Sequence, residues 1–191
     1  MPATCPSSSG PRWSRGRCRR SWPVEAESAA IATLYCIYGN IAAGKTTLAR
    51  KLAAQHGAVL LCEDEWLVRL EAEIETFDDF RQHARRLRAA IGPHVVELLR
   101  LGVPVVLDFP ANTVNDRAWI RSLFEAANAA HELHVIEAAL DVCKARLRLR
   151  NETKPEGIYF GFVPEETFGP VMGLLAPPTE AEGLNVVRHS A

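Results

Sequence analysis

Residues 38–47 read Tyr38-Gly39-Asn40-Ile41-Ala42-Ala43-Gly44-Lys45-Thr46-Thr47, and this stretch decides the fold. Gly39, Gly44, Lys45 and Thr46 satisfy the pattern Gly-x-x-x-x-Gly-Lys-Ser/Thr without a mismatch. The residue types follow from the chemistry of holding a triphosphate. Convergent backbone N–H groups at a helix N-terminus form the cradle, and side chains at the glycine positions would block the approach. Lys45 then reaches the β- and γ-phosphates as a point charge, while the Thr46 hydroxyl holds Mg²⁺. The binding segment expected from the pattern runs from Gly39 through Asn40, Ile41, Ala42, Ala43, Gly44, Lys45 and Thr46 to Thr47. A glycine-bearing turn that binds nothing is the alternative, and the flanks argue against it. Residues 31–37 are a short apolar run suited to a buried parallel strand, and residues 47–55 carry Leu48, Leu52 and Ala53 at helical spacing.

The whole chain sets bounds on this reading. Its 191 residues, 48% of them hydrophobic, suffice for a sizeable core, and residues 29–191 read as one domain. A formal net charge of −1 gives no reason to expect a nucleic-acid or membrane surface on the molecule as a whole. No apolar run approaches the ~18 residues of a membrane span, so a soluble, cytoplasmic protein is expected. The five cysteines are odd in number and widely spaced, without a Cys-x-x-Cys pair, which suits a reducing compartment. Residues 1–28 mix prolines and serines with Arg12, Arg15, Arg17, Arg19 and Arg20, and the first acidic residue is Glu25. Such a segment cannot bury enough apolar surface to offset its ordering entropy, so a disordered basic arm is expected. It is either a dispensable extension or a strap for nucleic acid.

Downstream of the loop, Gly57 ends the first helix and residues 58–62 read as a second buried strand, followed by Glu63, Asp64 and Glu65. Ligands of doubly wound parallel sheets bind outside the carboxyl ends of the strands, which is where a catalytic carboxylate belongs. Asp64 is taken as that carboxylate ahead of its two neighbours; the plainer alternative is that it serves the N-terminus of the next helix, and the two roles are compatible. Residues 65–101 are helical in pattern, with breaks expected near Thr76 and at Gly92-Pro93. Arg81, Arg85 and Arg88 share a helical face that either lines an anionic acceptor's site or simply meets solvent. Residues 103–107 form a third apolar strand ending at Asp108, the second signature of phosphate-loop proteins, whose carboxylate supports the Mg²⁺ shell. Asn112 either faces the acceptor or is an ordinary loop amide. Asn115 is expected to cap a helix over 116–129, residues 134–138 to form a fourth strand, and Asp141 to cap a helix through Arg150.

Arg146, Arg148 and Arg150 close that helix, with Arg146 and Arg150 on one face. Guanidinium forks on a lid over 146–162, hinged at Gly157 and Gly161, would stabilise charge on a transferring phosphoryl group and exclude water. A basic helix C-terminus favoured by the macrodipole is the plainer explanation. Residues 163–173 suit a short helix, and 184–188 a fifth strand.

On the residues from Gly39 to Thr47, the position of Asp64, and the run from Arg146 to Gly157, the chain resembles a group of phosphate-loop kinases. That group contains zeta toxins, chloramphenicol phosphotransferase and the kinase half of polynucleotide kinases. The resemblance implies an α/β fold with a five-stranded parallel sheet in the order 2-3-1-4-5. It makes Asp64 the general base on an acceptor hydroxyl, places Arg146 and Arg150 on the phosphates, and implies ATP with Mg²⁺. The activity expected is transfer of the γ-phosphoryl group to a hydroxyl of a small molecule or a nucleotide-like acceptor. Two other readings stay open: a nucleotide-dependent switch ATPase without an acceptor, and a polynucleotide 5′-hydroxyl kinase.

Overall fold

The computed structural model describes residues 31–156, 159, 163 and 165–190. The expected N-terminal arm and the expected hinges Gly157 and Gly161 lie outside the described residues. The central strand β1 (Thr33–Gly39) is flanked by β3 (Val105–Pro110) and β4 (Ala130–Glu137), with β2 (Val59–Cys62) and β5 (Val186–Ser190) at the edges. All pairings are parallel and the order is β2-β3-β1-β4-β5. The helices are α1 (Lys45–His56), α2 (Glu63–Arg69), α3 (Phe77–Arg100), α4 (Val114–Ala127), α5 (Leu140–Thr153) and α6 (Glu165–Gly173).

Parallel strands joined by helical crossovers must be buried on both faces, and β1 is built for that. Leu34 and Cys36 point into a core with Leu87, Ile91 and Val95 of α3 and Ile120 and Leu123 of α4. Tyr35 and Ile37 point the other way, towards Ala49 and Leu52 of α1 and Cys143 and Leu147 of α5. The result is three layers, with the loop after β1 and the first turns of α1 and α2 at the carboxyl ends of the strands. Leu34, Ile37 and Leu133 are fully buried, each contributing about 2 kcal/mol of apolar transfer energy.

Helix boundaries carry most of the departures from expectation. Gly57, at φ 58°, does end α1, its N–H returning to the Ala53 carbonyl. Thr76 marks the expected break and forms a reciprocal capping box with Asp79 at the start of α3. The second expected break is absent: α3 runs through Gly92 and Pro93 to Arg100. One buried stripe, Ala84, Leu87, Ile91, Val95 and Leu99, spans both sides of the proline and holds the helix together. Pro93 and Ala89, whose carbonyl loses its helical partner, both lie on the exposed side, where water can take the free acceptor. Gly92 faces α4, where a Cβ would stand 3.4 Å from Leu123 Cδ2. Since interior proline costs a helix about 3 kcal/mol, Pro93→Ala is expected to raise the urea unfolding midpoint by an amount equivalent to 1 kcal/mol or more. An unchanged or lower midpoint would show that the proline's effect on the unfolded chain dominates.

α4 starts earlier than expected. Thr113, not Asn115, is its cap: Thr113 Oγ1 accepts from the Asp116 N–H at 3.1 Å, and the Asp116 carboxylate accepts from the Thr113 N–H at 3.0 Å. The reciprocal pair satisfies two orphan donors where Asn115 alone would satisfy one. Asp141 likewise is no cap but lies in the first turn of α5, behind the boundary residue Ala139, where its charge suits the helix's positive end. Among the described residues no helix is long and apolar enough to cross a membrane.

Candidate active site

β1 delivers Gly39 to the carboxyl end of the sheet, and the chain then curls through Ala42 (φ 57°) and Gly44 (φ 102°) into α1. A Cβ on Gly39 would come into close van der Waals contact with Ile136 and Ala43 at 3.4 to 3.5 Å, and one on Gly44 would demand a left-handed backbone that L-residues rarely adopt. No side chain caps α1, and its first turn holds no acidic residue, so its positive end faces the concavity of the loop. These features fit a bound polyphosphate. Lys45 Nζ donates to the carbonyls of Gly39 at 3.0 Å and Asn40 at 2.7 Å, folded back over the loop. Burial lowers its pKa, opposed by the nearby charges of Asp108 and Asp64.

The three acids after β2 go three ways. Glu63 is 1% exposed and accepts from Arg88 Nε at 3.1 Å. Glu65 pairs with Arg50 at the surface, also at 3.1 Å. Asp64 is left among Arg150, Asp108 and Lys45. Burial pushes its carboxyl up to about 6; Arg150 and Lys45 pull it down, and Asp108 adds to the rise.

Asp108 lies inside β3 rather than after it, because the strand continues through Phe109 to Pro110. It stands opposite Cys62 of β2, whose Sγ donates to Oδ2 at 3.3 Å. Burial and Asp108 push the Cys62 thiol up to about 12, so this cysteine is a donor and not a nucleophile.

α5 crosses above the loop. Arg146 Nη1 donates to the Ala43 carbonyl at 3.3 Å. Arg150, one turn on, has its Nε buried without a hydrogen-bond partner, and its charge bears on Asp64 and Lys45. Asn151 then ties the chain to Val163 twice, donating to its carbonyl at 2.7 Å and accepting from its N–H at 3.3 Å. Lys45, Asp64, Asp108, Arg146 and Arg150 thus gather around one loop, with Thr46 half-buried in the first turn of α1.

The arginine face on α3 does not hold as a unit. Arg81 and Arg85 are exposed, Arg81 lying 3.8 Å from Asp78. Arg88 turns inward between Glu63 and Asp116, at 3.1 and 2.5 Å, over the ring of Trp119. Glu63 Oε2 is buried without a partner, and burial outweighs the pull of Arg88 to push this carboxyl up to about 7. Removing the cation strands two acids, so Arg88→Ala is expected to destabilise the fold by about 3 kcal/mol. Glu63→Gln, which keeps an acceptor for Arg88 and removes a poorly solvated charge, is expected to change stability at pH 8 by less than about 1 kcal/mol. Thermal unfolding of both variants measures the difference, and equal losses would contradict it. Sequence periodicity missed this triad, because nothing local to Arg88 marks Glu63 or Asp116 as its partners.

A strand, glycine loop and helix at the centre of a 2-3-1-4-5 parallel sheet, with one acid on β3, another in the first turn of α2 just past β2, and the arginines of α5 at the loop, define a P-loop domain of the kinase-like type. A family model described as an AAA domain matches residues 34–168, and the chain belongs to that family, AAA_33. No curated protein sequence matches it. Among solved structures, a Chloroflexus aurantiacus protein provisionally described as a kinase aligns over 84% of this chain and 89% of its own, at 17% identity and a TM-score of 0.68. Kti12 of Chaetomium thermophilum, in complex with ADP-AlF3, covers 81% of this chain and 88% of its own at 14% identity and a TM-score of 0.60. A gluconokinase from Sinorhizobium meliloti covers 84% and 83% at 19% identity and a TM-score of 0.51. At these identities the likeness is one of fold.

Proposed function

We propose that this protein is an ATP- and Mg²⁺-dependent phosphotransferase that moves the γ-phosphoryl group to a hydroxyl of a small molecule or nucleotide-like acceptor. The observation that carries the reading is the place and state of Asp64. It stands at the end of β2, two strands from the loop-bearing β1, while Asp108 stands on β3 between them. Two acids at two distances suit two tasks. Asp108, beside the loop, supports the metal together with Thr46; Asp64, farther out, faces the acceptor and takes its proton. A carboxyl at about 6 is ionised at neutral pH yet more basic than an ordinary aspartate.

The remaining roles follow from charge. Bound Mg²⁺ would neutralise the polyphosphate and polarise the group in transfer. Lys45 exchanges the Gly39 and Asn40 carbonyls for phosphate oxygens, trading neutral acceptors for anionic ones. Arg150, with an unspent buried donor, and Arg146, already on the loop at Ala43, stabilise charge on the equatorial oxygens. The kinase description of one structural relative, the gluconokinase name of another and the ADP-AlF3 bound to Kti12 support the same reading.

A grip on a polynucleotide backbone loses its best candidate with Arg88 sequestered, so a compact acceptor is favoured. The test is ATP consumption with and without a panel of hydroxyl compounds: sugars, nucleosides, 5′-hydroxyl oligonucleotides and antibiotics. Transfer to one class establishes the activity and identifies the substrate family. Hydrolysis indifferent to every acceptor would instead favour a nucleotide-dependent switch.

A further inference from the structure

The end of β1 pairs regularly with β4 through Gly39 and Ile136, but on its other side, towards β3, the pairing is irregular. The β1–β3 register shifts between Cys36 and Ile37, and the Ala111 N–H, beyond β3, donates to the Ile37 carbonyl at 3.2 Å. At the next odd position the first N–H of the phosphate loop, that of Gly39, donates to the side chain of Asn112, Oδ1, at 3.1 Å. Asn112 is itself fixed from the far end of the chain, since its carbonyl accepts from the Ala176 N–H at 2.9 Å.

The segment after α6 is fixed in turn by a buried cation. Arg117, 2% exposed on α4, donates Nη1 to the carbonyls of Ala111 at 3.0 Å and Ala176 at 2.8 Å, the residues that bracket Asn112. Its other nitrogens grip Glu182 in a two-point fork, Nε at 2.6 Å and Nη2 at 2.9 Å. Arg121 adds a bond to the Glu182 carbonyl. A fork of this kind fixes direction as well as distance. Glu182 orients Arg117, Arg117 sets the spacing of Ala111 and Ala176, and these hold the Asn112 amide under Gly39.

We propose that Asn112 is a positioning residue for the phosphate loop, braced by Arg117 and the C-terminal segment 176–182, so that residues remote from the nucleotide set the affinity for it. This rests on the nucleotide-binding reading above. The loop's amides bind phosphate only when they converge. A loop whose first residue has lost its tether must be ordered by the ligand, and that ordering is subtracted from binding.

The experiment measures MgADP affinity, the thermal unfolding temperature without nucleotide, and hydrogen exchange at the Gly39 amide, for the parent protein, Asn112→Ala, Glu182→Gln and the double variant. Asn112→Ala is expected to weaken MgADP binding about three- to tenfold, the range one hydrogen bond supplies, and to speed Gly39 exchange by a similar factor. Glu182→Gln keeps the shape of the fork, avoids the folding defect that loss of Arg117 risks, and is expected to weaken binding in the same direction by a smaller factor. In the Asn112→Ala background the Glu182 effect should vanish, because it acts through Asn112; a purely structural role would lower the unfolding temperature and leave the affinities uncoupled. Affinity of Asn112→Ala within twofold of the parent, or additive losses in the double variant, overturns the proposal. Failure of the parent to bind MgADP would count against nucleotide binding itself, and Gly39 exchange then decides the brace alone: acceleration in Asn112→Ala upholds it, unchanged exchange refutes it.

Discussion

Asp64→Asn is expected to reduce phosphoryl transfer by about a hundred- to ten-thousandfold, the range a general base supplies, while MgADP affinity stays within a fewfold of the parent. Asparagine keeps the size and one acceptor oxygen but cannot take a proton at neutral pH. The pH profile provides the sharper signature. With the carboxyl at about 6, the parent's rate should climb as pH rises through that value and level off above it, and the variant's residual rate should lack this limb. Stability should move the other way. A carboxyl raised in the folded protein above its ordinary value favours folding below about pH 4, and loses that contribution as pH rises through about 6. At pH 8 the ionised group therefore opposes folding, and Asp64→Asn should stabilise the protein by on the order of 1 kcal/mol. A variant that keeps full transfer activity, or keeps the limb near pH 6, would remove Asp64 from the base role.

Lys45→Ala is expected to lower transfer by at least about a hundredfold, the loss typical of deleting one preorganised charge that faces a transition state, and to weaken MgADP binding as well. Among the described residues the ammonium is held by two carbonyls and by no carboxylate hydrogen bond, so it is free to move to a stronger acceptor. Loss of the side chain frees those carbonyls to water at the loop's open side, so the unfolding temperature should change little. Steady-state transfer, calorimetric binding and a thermal melt separate these three quantities. Transfer within tenfold of the parent would show that the arginines of α5 carry the phosphate charge without the lysine.

The phosphate loop was legible in the sequence because its geometry is local. Two glycines, an uncapped helix start and a preceding apolar run are all written within residues 31–55. The positions of Asp64 and Asp108 followed from strand order, since both stand at the ends of apolar runs. Which acid of 63, 64 and 65 turns to the loop could be argued only by position, and the partners show how the fold sorts them: Arg88 takes the first and Arg50 the third. Neither arginine is near them in sequence. Pro93 misled because a local rule for ending helices met a tertiary stripe that spans the proline. At Asn112 the opposite holds. Its partner, the Gly39 N–H, lies at the end of another strand, and periodicity carries no trace of such a bond.

The sheet's order also shapes how the chain must assemble. β1, the central strand, has no sequence neighbour beside it: Leu34 meets Val105 on one side and His131 on the other. Its apolar residues therefore leave the ribosome well before either flanking strand exists, and β4, which closes its second side, comes later still. Contacts this remote in sequence fold slowly and leave apolar segments exposed to other chains meanwhile. Yield in a heterologous host should accordingly depend on synthesis rate and on chaperone supply.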